Sequence, residues 1–130
     1  MTREELIQYW VDSSDSNYQS MINMYNSGEY MWCLFVGHLS VEKLLKAYYA
    51  KIMGREIPRT HDLYKLALRC GLNPSQTRKD ALQYVTLFNI EVRYEGYRRD
   101  FYKKCTREFA EKNLQRIEEL RRWLMEEINS

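Results

Sequence analysis

Two long stretches of helical periodicity, separated by a short stop signal, constrain this chain more than any other feature. In the first, Leu6, Tyr9, Trp10, Ser13, Tyr18, Met21, Ile22 and Tyr25 are compatible with a 3.6-residue period, with a polar gap around residues 12–17. Thr2 followed by Glu5 has the spacing of a capping box, so this helix can begin almost at once. Asn26, Ser27 and Gly28 end it, because Gly28 is free to take positive φ. The second helix is predicted from Glu29 to Met53 and stops at Gly54. Two helices of about 25 residues each, joined by a tight turn, favour an antiparallel pair.

The remaining segments are shorter. Pro58 disfavours helix at Ile57, so residues 54–60 form a loop. Thr60 or His61 can then cap a helix from Asp62 to Cys70, ended by Gly71. Asn73 is the expected cap of a fourth helix, with Pro74 as its first residue and Gln76 reaching back. That helix carries Leu82, Val85, Leu87 and Phe88 and fades over residues 93–97. A last helix, Thr106 to Ile128, carries the stripe Phe109, Ala110, Leu114, Ile117, Leu120, Leu124 and Ile128. Residues 94–105 read either as a loop or as the start of that last helix. No segment alternates like a strand, and no repeat is present. The prediction is an all-α, up-and-down bundle of four to five helices.

With 130 residues, 45% of them hydrophobic, the chain is expected to form one domain over 1–130 with one core. The net charge of +2 gives no global field for nucleic acid, so such a role must rest on a local patch. No apolar run approaches the roughly 20 residues that span a bilayer, and the charged N-terminal segment lacks the apolar region of a signal peptide. Cys33, Cys70 and Cys105 form no C-x-x-C pair, which argues against a zinc site or a disulfide framework and for a reduced, cytoplasmic protein. No metal cluster and no cofactor motif is evident, since the five glycines are dispersed.

Three groups of polar residues carry the functional reading. His38, Glu42 and Lys46 recur every four residues along the apolar second helix. Glu42 and Lys46 have the favoured order for a helical ion pair. Titratable groups on a mostly buried helix are costly unless paired or used. His61 and Asp62 open the third helix and are either a cap or part of a site. Residues 91–108 interleave Arg93, Arg98, Arg99, Lys103, Lys104 and Arg107 with Tyr94, Tyr97, Phe101 and Tyr102. Such interleaving suits phosphates and bases, although Glu91, Glu95, Asp100 and Glu108 dilute the charge.

Taken in order, these pieces resemble the HEPN domain family. Its second-helix pattern stands here as Glu42, Lys43, Leu44, Leu45, Lys46 and Ala47. A Pro-containing linker then leads to His61, Asp62 and Leu63, and an Arg-Tyr pair follows at Arg93 and Tyr94. The resemblance covers about residues 5–128. It implies a helical bundle, usually dimeric, with a link to nucleotides or RNA. Many members are metal-independent endoribonucleases of toxin or defence systems, with an R-x4-6-H motif doubled across the dimer. Others are non-catalytic and pair with small nucleotidyltransferases. This sequence departs from the nuclease pattern, because no His follows Arg93. The one formal match, Arg55 to His61, lies in the linker before the third helix.

The resulting expectation is a non-catalytic HEPN-type homodimer that binds a nucleotide, RNA or a partner nucleotidyltransferase. Glu42, Lys46, His61, Asp62, Arg93 and Tyr94 would line its ligand-binding groove. Lys46 and Arg93 would hold phosphate, Tyr94 would stack on a base, and Asp62 would orient His61. The alternative is a metal-independent endoribonuclease with a displaced site, in which His61 is the general base.

Overall fold

A computed structural model describes residues 1–130. It contains six helices and no strand: α1 (Arg3–Asn26), α2 (Tyr30–Ile52), α3 (Leu63–Arg69), α4 (Gln76–Arg93), α5 (Glu95–Lys104) and α6 (Arg107–Asn129). The capping box opens α1 as its spacing predicts. The Thr2 hydroxyl accepts from the Glu5 N–H at 3.1 Å, and the Glu5 carboxylate accepts from the Thr2 N–H at 3.1 Å. Gly28, with φ +80°, turns the chain into α2.

α2 is the axis of the fold and touches every other helix. It buries Leu34, Val41, Leu44, Leu45 and Ala47 completely. Gly37 lets its neighbours close in. A Cβ there would stand 2.6 Å from Ile117 Cδ1 of α6 and 2.7 Å from Met21 Sδ of α1. Polar side chains fix the register around this apolar contact. Ser14 of α1 donates to the Ser40 carbonyl at 2.5 Å, and Arg121 of α6 reaches Asp15 of α1 at 2.8 Å. Lys51 of α2 donates to the carbonyls of Glu127, Ile128 and Ser130, placing a cation at the C-terminal end of α6.

Three local expectations are corrected. α3 is capped by Asp62, not by Thr60 or His61; its carboxylate accepts from the Lys65 N–H at 3.0 Å. α4 is capped by Ser75 rather than Asn73, and Pro74 lies before the helix. Leu72 is buried in the core, so the chain needs residues 73 and 74 to travel outward before α4 begins. Residues 95–104 are a helix of their own, neither a loop nor the start of α6. Tyr94 is extended, with φ −99° and ψ 116°, and separates α5 from α4. Phe101 supplies the reason for α5. It is buried, stacked on Phe88 of α4 at 5.6 Å between ring centroids, and edge-on to Phe109 of α6 at 6.3 Å.

Candidate binding site

The titratable stripe of α2 meets the α2–α3 linker at a single residue. Glu42 is the hub, with a side chain only 4% exposed. One carboxylate oxygen, Oε2, lies 3.1 Å from Lys46 Nζ; the other, Oε1, accepts from His61 Nδ1–H at 2.7 Å. A buried carboxylate with both oxygens engaged avoids most of the penalty of leaving water. The Lys46 ammonium also sits 5.0 Å from the centroid of the Trp10 ring, a cation–π contact with α1.

His38, one turn before Glu42, is fully buried. Its Nε2–H donates to the His61 carbonyl at 2.9 Å, while Nδ1 has no partner. Burial pushes the His38 pKa below its ordinary value, against the opposing pull of the His61 carbonyl and the Glu42 charge. Its ring is therefore neutral, with a bare lone pair on Nδ1. His61 is the opposite case. Its side chain is 51% exposed, and with Nδ1–H turned to Glu42, Nε2 is the ring nitrogen left to accept.

Of the six residues predicted to line a groove, Glu42, Lys46 and His61 meet here. Asp62 follows His61 in the chain, but its carboxylate is spent on the α3 cap; Glu42 is the group that orients the imidazole. Arg93 ends α4 and Tyr94 follows it, both exposed, with no hydrogen bond or ion pair to the trio. His38 and Trp10 complete the cluster and were not among the six. The four-residue spacing had marked His38, but nothing local pairs it with a backbone carbonyl 23 residues away.

Arg93 and Tyr94 belong to a second surface. Residues 93–107 hold six cations (Arg93, Arg98, Arg99, Lys103, Lys104, Arg107) and two anions (Glu95, Asp100), a surplus of +4 where the whole chain has +2. The other residues sum to −2 in total, although residues 43–79 also run basic, with nine cations against Glu56 and Asp62. Tyr94, Tyr97 and Tyr102 stand 61%, 62% and 66% exposed around it. Arg98 donates through Nε to the Val92 carbonyl at 2.7 Å, which closes the end of α4. A hollow of about 310 Å³, lined by Met31, Glu95, Arg98, Arg99 and Tyr102, opens beside α5.

A larger hollow of about 860 Å³ lies between α4 and α6, and two of its arginines are engaged within the protein. There Arg78 pairs with Glu119 at 3.1 Å, and Arg116 donates to the Asn113 side-chain carbonyl at 2.6 Å and covers the Tyr84 ring. No group of three or more His, Cys, Asp or Glu side chains is arranged to hold a metal ion. The three thiols are buried and their pKa values are pushed up to about 12 by that burial, which leaves them unreactive. No helix is long and apolar enough to cross a membrane.

Compared with known protein families, residues 7–128 match the HEPN domain. The chain belongs to the HEPN family. The match spans all six helices in the order described above, so the six-helix bundle is this member's version of the HEPN fold. No curated protein and no solved structure matches the chain. In this HEPN domain, the residue five places after Arg93, one of the positions an R-x4-6-H motif would give to His, is Arg98.

Proposed function

We propose that this HEPN domain is a non-catalytic, homodimeric module that binds single-stranded RNA on the surface around α5. The observation that carries this reading is the pairing, within residues 93–107, of a local surplus of four positive charges with three exposed tyrosines interleaved among them. Guanidinium and ammonium groups hold phosphates, and exposed phenol rings stack on unpaired bases. Arg93 and Tyr94 act in this surface. Glu42, Lys46, His61 and Asp62 act one step removed, by fixing the linker and α3 against the bundle. The non-catalytic assignment is supported by Arg98, since a guanidinium cannot take up a proton from a ribose hydroxyl. The homodimer is supported by Leu87 and Ile90 of α4, 43% and 40% exposed, which continue the same helix that ends at Arg93.

The test is binding of fluorescently labelled single-stranded RNA, in EDTA, over a range of salt. Tyr97→Ala with Tyr102→Ala is expected to weaken binding by about tenfold or more, because each stacked base contributes roughly 1–3 kcal/mol. Arg93→Ala is expected to lower the slope of affinity against salt by about one ion. No binding at low salt would overturn the RNA assignment, and a partner nucleotidyltransferase would then be the occupant to test.

One observation favours a second reading, a metal-independent endoribonuclease. His61 is held by a buried carboxylate at Nδ1 and keeps Nε2 free, an orientation that suits a general base. The same assay decides it. Cleavage of RNA in EDTA that His61→Ala abolishes would establish the nuclease, and intact RNA would exclude it.

A further inference from the structure

The linker between α2 and α3 is tied to the bundle through one residue. At its ends, the Gly54 N–H bonds the Tyr49 carbonyl, and the Leu63 N–H bonds the Thr86 hydroxyl. Between them, residues 55–60 make no hydrogen bond to any helix; Thr60 bonds only the Asp62 N–H. His61 makes both polar attachments to α2. Its carbonyl accepts from His38 and its ring donates to Glu42.

The attachment rests on few polar contacts. In the docked form two hydrogen bonds are made, one of them to a carboxylate, which is the stronger kind. One term opposes docking. Undocking would hydrate the nearly dry Glu42 carboxylate. His61 is half-exposed, so water already reaches the latch from outside. Only Ile57 and Pro58, half-buried, add apolar contact along the segment.

We propose that residues 55–61 form a lid, latched by His61 alone, whose opening uncovers Glu42. The docked and open forms differ by two hydrogen bonds at one residue, and the bundle itself is unchanged. The proposal does not depend on what the α5 surface binds.

The lid carries its own reporters, Arg55 and Arg59, both exposed and both cleavable by trypsin. Cleavage of a folded chain reads the population of locally open forms when closing is fast. His61→Ala, a change at a half-exposed position, is expected to raise cleavage after Arg55 and Arg59 about tenfold or more under native conditions. Cleavage after Arg78 and Arg116, inside α4 and α6, should stay at the wild-type rate. Glu42→Gln, which keeps an acceptor for the imidazole but removes its charge, is expected to fall between the two. Wild-type cleavage rates after Arg55 and Arg59 in His61→Ala would overturn the lid. So would a rise at all four sites together, which would mean global loosening.

Discussion

His38 is the clearest case of a side chain whose environment, not its identity, sets its behaviour. It is neutral and fully buried, with its pKa pushed down by loss of water. Unfolding returns it to its ordinary value of 6.5. Below that pH the unfolded chain therefore takes up a proton that the folded chain refuses. The stability contributed by the neutral ring is complete above pH 6.5 and is lost as pH falls toward the depressed folded-state value. Urea unfolding followed from about pH 8 to 5 is expected to show this loss. His38→Gln, whose amide can still donate to the His61 carbonyl, should flatten that part of the profile, because His61 is common to both proteins. Parallel profiles would show that His38 does not carry the effect. The spacing of His38, Glu42 and Lys46 made the stripe visible in the sequence. Its partner was not visible, since a hydrogen bond to a backbone carbonyl in a distant loop leaves no local pattern.

Among the helices, α1, α2 and α6 were legible because each is long, amphipathic or apolar in period, and marked at its start or end. α5 was not. Its ten residues are mostly charged, and it buries only Phe101. Its existence depends on the aromatic cluster that Phe101 completes with Phe88 and Phe109, contributed by two other helices. Removing that ring should expose the dependence. Phe101→Ala is expected to cost roughly 3–5 kcal/mol in urea unfolding, the usual range for a buried phenylalanine. A loss below about 1 kcal/mol would mean that α5 is not held by this cluster. The caps of α3 and α4 fell one or two residues away from their predicted positions for a related reason. Several residues near each start could serve as caps, and packing of Leu63 and Leu72 in the core chose among them.

At the level of the assembled protein, α4 presents Leu87 and Ile90 outward at helical spacing, beside the basic surface of α5. The proposed homodimer would cover the two aliphatic residues and bring two such surfaces into one particle. Sedimentation equilibrium is expected to give about twice the 15.8 kDa chain mass at micromolar concentration. Leu87→Glu with Ile90→Glu should return the mass to that of one chain without loss of helicity. A wild-type protein already at 15.8 kDa would remove the dimer from the proposal.

Periodicity, stop residues and the ordered HEPN-like pieces were enough to read an all-helical bundle and its family from the residues alone. These signals are local, and helix formation along one face needs only residues three or four apart. The meeting of Glu42 and Lys46 followed from the same rule. Three-dimensional packing decided everything that joins distant segments. It brought His61 onto Glu42, gave Asp62 to a cap, and set Arg93 and Tyr94 among the exposed charges of α5. Which polar groups converge depends on how helices of fixed length lie against one another, and that is settled by the shape of the core rather than by spacing along the chain.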